Sequence, residues 1–412
     1  MSRYHSYLNS ATQVINKYRG EEPFASFIKK YFAEHKKYGS NDRKQIAHLC
    51  YCYFRMGMSF PEMPVEEKIL AGLFLCSTTD NPVLQQMKPE WNQKIHLDFG
   101  HKSSMIVNPG SAGVMLHLLA NLFPYTSELT EGIEQDEFVL SHLRQPRVFI
   151  RLRPGHEITV KKKLQEAAIE FSPVSDTCLA LSNSASIDKV VELNKEAVVQ
   201  DYSSQRTAEL LFNLKSKISK SKFTVWDCCA ASGGKSIMIH DLYPNIHLTV
   251  SDIRDSILHN LKKRFQEAGI KKYHIFKTDL TNPHSLSPRA ERSGTTHNPI
   301  AIGSPYDLLI CDVPCSGSGT WCRTPEQLSY FEKNKIGHYA AIQKRIVANV
   351  LKHLKPGGHL VYITCSVFKK ENEEIVDYMR KNLRLELIQA KLLKGYNINA
   401  DTMFTALLRK QL

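Results

Sequence analysis

Over roughly the first 140 residues, apolar positions recur at helical spacing. Phe24, Phe27, Ile28, Tyr31 and Phe32 fall at i, i+3, i+4, i+7 and i+8, and Ile46, Leu49, Cys50, Tyr53 and Phe54 repeat the stripe, with Ser40 as a candidate N-cap. Val65, Ile69, Leu73 and Cys76 continue it. Such stripes are core faces, so Cys50, Cys52 and Cys76 are assigned to packing. The register changes at Arg147, where Val148, Ile150 and Leu152 alternate with Arg147, Phe149, Arg151 and Arg153 and predict a strand. A helix over Thr159–Ile169 follows, and the small α+β module closes near Val199. From residue 201, short apolar runs at Phe223–Trp226, His247–Val250, His274–Lys277, Tyr306–Ile310 and His359–Thr364 predict strands. Helices beginning at Lys235, Ser256, Pro325 and Glu371 separate most of them, the alternation that specifies a doubly wound parallel sheet. Residues 281–305, rich in Pro, Ser, Gly and Asn without periodicity, read as a long loop. The expected division is a helical domain over 1–143, the small module over 144–200, and an α/β domain over 201–412.

Composition narrows the class. A hydrophobic content of 42% and a charged content of 23% are ordinary globular values and argue against wholesale disorder. A net charge of +13 favours a polyanionic partner, nucleic acid first. The ten cysteines are scattered among apolar runs, as suits reduced thiols in a cytosol, and no C-x-x-C pair offers zinc spacing, so no structural metal is expected. The N-terminal residues form no signal-type apolar core, and no run reaches the roughly 18 apolar residues of a membrane span; a soluble, cytoplasmic, monomeric protein is expected. With nucleic acid as partner, the strand at Arg147–Arg153 has two readings. Phe149 among Arg147, Arg151 and Arg153 on an open face would stack bases and hold phosphates, or the strand is an edge protected by charge.

The candidate chemistry gathers at the strand ends of the C-terminal domain. The first strand runs into Asp227-Cys-Cys-Ala-Ala-Ser-Gly-Gly-Lys-Ser236 and then a helix. A Gly-Gly turn lets backbone approach a ligand at a helix N-terminus. The turn is neither a P-loop, which needs Gly where Cys229 stands, nor the dinucleotide G-x-G-x-x-G. Asp252, Asp279 and Asp312 close the next three strands, the first well placed to grip ribose hydroxyls. Each alone is a candidate helix N-cap; together with Asp227 they point to a cofactor carrying a ribose, an amine and a positive centre, which S-adenosyl-L-methionine supplies. Cys315 and Cys365 each follow an apolar run, fifty residues apart. On neighbouring strands both thiols would emerge at one sheet edge, one to attack and one to assist.

These residues resemble the RsmB/Sun family of RNA cytosine-5 methyltransferases. The resemblance rests on Val199-Gln-Asp-Tyr-Ser-Ser-Gln205, Cys229-Ala-Ala-Ser-Gly-Gly-Lys-Ser236, Asp312-Val-Pro-Cys-Ser-Gly-Ser-Gly319 with Arg323 beyond it, and Thr364-Cys-Ser followed by Glu371-Asn-Glu373. It implies a Rossmann-like methyltransferase domain, an RNA-binding small module and, more loosely, NusB-like RNA-binding helices at the N-terminus. Cys229, Ala230, Ala231, Ser232, Gly233, Gly234 and Lys235, with Asp252, Asp279 and Asp312, would hold S-adenosyl-L-methionine. Cys365 would be the nucleophile, Cys315 the cysteine that helps release product, and Asp312 a proton donor to the ring. Arg147, Phe149, Arg151, Arg153 and Arg323 are the candidate RNA contacts, with Lys235 and Arg323 as cations to favour a thiolate. Ser232 stands where the family typically has Pro, which softens the turn. The implied substrate is RNA, small-subunit ribosomal RNA first. Transfer RNA is an alternative, as is a non-catalytic RNA-binding assembly factor; the Thr-Cys-Ser motif argues against DNA.

Overall fold

The computed structural model describes residues 2–106, 114–214, 223–284 and 305–412. The loop expected over 281–305 lies, from 285 to 304, outside the described residues. Two compact units emerge: Met1–Leu129, Ile133–Gln145 and Thr320–Lys333 form one, and Thr130–Gly132, Pro146–Gly319 and Asn334–Leu412 the other.

The first unit is helical. Its long elements are α1 (Arg3–Lys17), α2 (Phe24–Glu34), α3 (Ser40–Arg55) and α4 (Val65–Cys76), followed by shorter helices. The stripes read from the sequence are its core: Phe24, Ile46, Leu49, Cys50, Phe54, Ile69 and Leu73 are buried. Tyr18 meets Phe24 and Phe54 edge-on, with centroids 5.2 and 5.6 Å away, a favoured aromatic geometry. Arg55, at the end of α3, is buried and donates to the carbonyls of His142, Arg144 and Cys322. Segment 320–333 completes this unit, with Glu326 accepting from the Phe24 backbone N–H at 3.1 Å.

In the second unit, the small module is a four-stranded antiparallel sheet ordered β2-β3-β1-β4, formed by β1 (Val148–Leu152), β2 (Phe171–Ser175), β3 (Cys178–Leu181) and β4 (Ala197–Val199). Helix α5 (Glu157–Glu166) covers one face, where Ile150, Leu152, Val160, Leu164 and Leu179 pack. The other face is not open. Phe149 is 2% exposed, packed with Cys178, Ala180 and Ala400 and stacked on Tyr202. Period-two spacing tells which residues share a face; what covers that face comes from residues 202 and 398–400, distant in sequence.

The main sheet has seven strands ordered β10-β11-β9-β8-β5-β6-β7. β5 (Thr224–Asp227), β6 (His247–Asp252), β7 (Tyr273–Lys277), β8 (Tyr306–Asp312) and β9 (Leu354–Thr364) are parallel, as expected. β10 (Leu385–Leu393) and β11 (Met403–Lys410) were not expected and add an antiparallel edge. Helices α6 (Gly234–Leu242) and α7 (Asp255–Glu267) follow β5 and β6, while α8 (Asn334–Val350) and α9 (Glu373–Asn382) flank β9. The helix expected from Pro325 is one short turn over Gln327–Tyr330, and the long helix begins only at Asn334. Among the described residues no helix is long and apolar enough to cross a membrane, and no group of His, Cys, Asp and Glu could hold a metal ion.

Candidate active site

Parallel pairing of β8 with β9 aligns Asp312 with Ile363, so the loops leaving both strands share one sheet edge. The Cys315 and Cys365 Sγ atoms lie 3.2 Å apart there, both thiols free. A hydrogen bond to Cys365, then burial, pushes the Cys315 thiol well above the ordinary cysteine range. One member of the pair is thus held neutral.

Lys235, in the first turn of α6, lies 2.6 Å from Asp312 at the end of β8. Burial pushes Lys235 down, but the Asp312 carboxylate outweighs it and leaves it above its usual value, with charge at Cys365 acting in the same direction.

The cysteine loops are braced from beneath by residues the sequence reading quoted only as a motif. Glu371 is fully buried and accepts from the Ser316 backbone N–H at 2.9 Å, Gln343 Nε2 at 3.0 Å and Ser366 Oγ at 2.8 Å. Burial pushes its carboxyl up against these bonds. Asn372 accepts from the Thr364 hydroxyl at 2.5 Å and donates to the Ser366 carbonyl at 3.0 Å. Gly319 donates its N–H to the Cys365 carbonyl at 2.9 Å; a Cβ there would lie 1.9 Å from the Thr402 carbonyl oxygen, so only glycine admits this approach. Gln343 lies mid-helix and carried no signal in the sequence.

The expected cofactor loop leaves β5 and turns through Ala231, φ +46°, and Gly233, φ +84°, into α6. At Gly233 a side chain would also strike Phe265, 2.8 Å from its Cβ. The Ala231 N–H donates to Asp252 Oδ2 at 3.0 Å, and Arg254 lies on the same carboxylate. Burial works to raise Asp252, but Arg254 and the backbone donors win and hold it below the usual carboxylate range. Ser232 accepts from Arg264 at both its hydroxyl, 2.7 Å, and its carbonyl, 3.0 Å, so the turn is restrained by a guanidinium. Asp279 caps the next loop, accepting from the Thr281 N–H at 2.9 Å and hydroxyl at 2.7 Å. Burial pushes Cys229 well up, which keeps it a neutral lining residue.

Asp227 sits beneath this loop, 1% exposed; Ser236 Oγ donates to Oδ2 at 2.5 Å while Oδ1 has no partner among the described residues. Burial pushes Asp227 up to about 7. The folded protein therefore keeps this proton to about pH 7, the unfolded chain only to about pH 4, and stability falls as pH rises between them, by at most about 1.4 kcal/mol per pH unit. Asp227→Asn should flatten this fall. Urea unfolding of both proteins at pH 5 and pH 8 measures it, and equal losses in the two would refute the assignment.

The expected RNA residues do not form one platform. Arg151 and Arg153 both reach Asp241 on α6, at 2.8 and 2.6 Å, with side chains 8% and 13% exposed. Their guanidinium groups are committed inside the unit, and Phe149 is buried. This corrects the open-face reading of β1. Arg147 is half-buried and bonds Ser172 Oγ and the Ala180 carbonyl. Arg323 belongs to the helical unit.

Residues 212–409 match the family described as 16S rRNA methyltransferase RsmB/F. Ribosomal RNA small subunit methyltransferase B of Xylella fastidiosa is 29% identical over 228 residues, 54% of this chain and 48% of that protein. The Proteus mirabilis protein of the same name is 31% identical over 178 residues, 43% and 37% of the two chains. The chain spans about half the length of the curated relatives it matches, 48% and 49% for two of them. Among solved structures, PH0851 superposes with a TM-score of 0.69 at 18% identity, covering 100% of both chains. A methyltransferase homologue from Pyrococcus horikoshii follows at 0.54 and 19%, covering 73% of this chain and 96% of that one. At those identities the structures establish the fold alone. The motifs, the sheet order and the matched relatives agree: residues 212–409 carry the domain that the RsmB/F methyltransferase family model describes.

Proposed function

We propose that the protein methylates carbon 5 of a cytosine in RNA, with S-adenosyl-L-methionine as cofactor and small-subunit ribosomal RNA as substrate. The observation that carries this reading is the thiol pair, 3.2 Å apart, at the ends of adjacent parallel strands beside the Lys235–Asp312 ion pair. The relatives named ribosomal RNA small subunit methyltransferase B support the substrate. The helical unit takes part in holding RNA, as the net charge of +13 favours, and the enzyme works as a cytoplasmic monomer.

The donor chemistry of the strand ends suits the cofactor: three carboxylates, Asp252, Asp279 and Asp312, for hydroxyl, amine and positive groups, and a turn whose Gly234 leaves a Cβ no closer neighbour than Arg264 Nη1 at 4.0 Å. Residues Cys229 to Lys235 would hold it with those carboxylates. When bound, it supplies an electrophilic methyl group.

Carbon 5 of cytosine is a poor nucleophile until a thiolate adds to carbon 6. Cys365 makes that bond, with the Lys235 cation at the same sheet edge. Negative charge then develops at ring nitrogen 3. Asp312 is already ion-paired, so the proton at hand there is on Lys235 Nζ, with Asp312 orienting it. Product release requires a base to take the proton from carbon 5 as the Cys365 sulfur leaves carbon 6 as thiolate and the proton on nitrogen 3 returns to Lys235, and Cys315, within reach of Cys365 Sγ, assists the sulfur's departure. Incubating the chain with small-subunit RNA and methyl-labelled cofactor, followed by bisulfite sequencing, should show one new protected cytosine. Label on RNA without a protected cytosine would overturn the choice of carbon 5.

A further inference from the structure

One route from the small module to the cofactor loop runs through Asn194. Asn194 lies in the turn that leads into β4, with φ +65°, and its backbone N–H donates to the Ala197 carbonyl at 2.7 Å. Its side-chain oxygen accepts from Arg264 Nε at 2.9 Å, and its side-chain nitrogen donates to Glu267 Oε2 at 2.7 Å. The amide is thereby fixed from both ends, and it fixes the last turn of α7. Arg264 spends its remaining contacts on Ser232, donating from Nη1 to the hydroxyl and the carbonyl. Arg153, just past β1, closes the network, donating from Nη1 to the Asn194 carbonyl at 2.8 Å and the Ala268 carbonyl at 2.9 Å.

We propose that Asn194 is a positioning residue for the cofactor loop: through Arg264 it sets the conformation of Ser232, so the small module tunes cofactor affinity without touching the cofactor. The inference rests on the reading of Cys229 to Lys235 as the cofactor loop. A guanidinium held at Nε by a fixed amide presents Nη1 in one direction, whereas an unheld one samples several rotamers and restrains Ser232 less. The module then does more than pack against the catalytic domain. A displacement of the 194–197 turn is transmitted to the loop by hydrogen bonds of defined direction.

The test uses the full chain and S-adenosylhomocysteine as probe, read by calorimetry. Asn194→Gly keeps the left-handed turn, which glycine adopts freely, and deletes only the amide. It should weaken binding about fivefold, and Arg264→Met, which removes the Ser232 contacts as well, about tenfold or more. The double variant should bind no worse than Arg264→Met, because the two residues act in series. In methylation assays Asn194→Gly should raise the cofactor KM with kcat at saturating cofactor unchanged, a split that general loss of structure does not produce. Unchanged affinity in Asn194→Gly, or effects that multiply in the double variant, would overturn the relay. Failure of the parent chain to bind S-adenosylhomocysteine would instead remove the cofactor reading itself.

Discussion

Cys365→Ala should abolish turnover, by more than about a thousandfold, and with it any covalent complex with RNA. Cys315→Ala should turn over poorly and accumulate that complex. Both sulfurs sit in the same environment, 3.2 Å apart and half-buried, so position alone does not order them. Their order follows from the family resemblance of the Pro-Cys and Thr-Cys motifs, and the raised Cys315 thiol is compatible with it. Neither substitution removes a core side chain, and the Gly319 N–H to Cys365 carbonyl bond is backbone to backbone, so both variants should fold. Denaturing gels with RNA and labelled cofactor decide the matter. A complex that persists in Cys365→Ala and vanishes in Cys315→Ala would exchange the two roles.

Much of the catalytic half could be read from the sequence because its signals are local. Strand ends, the Gly-Gly turn and the Pro-Cys and Thr-Cys motifs each lie within a few residues, and parallel pairing of β8 with β9 brings Cys315 and Cys365 together. What escaped is what depends on distant partners. Met403–Leu408 is a run of buried residues with no alternation, so β11 lacked a strand period to read. The face of β1 bearing Phe149 was covered by residues around 202 and 400, which no pattern within 147–153 could report. Likewise Arg151 and Arg153 found their counterion on α6, ninety and eighty-eight positions away. Basic residues on a strand look alike whether they meet a phosphate or a buried carboxylate, because both satisfy the same guanidinium fork.

That counterion carries the second large prediction: Asp241→Asn should destabilise the second unit by about 3–5 kcal/mol. The Asp241 side chain is 4% exposed and takes both Arg151 Nη1 and Arg153 Nη2, so one carboxylate is the shared counterion of two guanidinium groups. Burial already pushes Arg151 below its usual value, with Asp241 acting against it. Asparagine has nearly the same shape and can still accept a hydrogen bond, but it leaves two cations without their shared counterion. The same carboxylate ties β1 to α6, the helix that starts at the Gly-Gly turn, so the small module should loosen first. Urea unfolding should show the loss, and hydrogen exchange should rise earliest in residues 148–199. Because the triad is buried, the gap between parent and variant should persist from 0.1 to 1 M salt, where a surface pair would be screened. A loss under about 1 kcal/mol, or one that disappears at high salt, would show that Arg151 and Arg153 are held by water and backbone carbonyls instead.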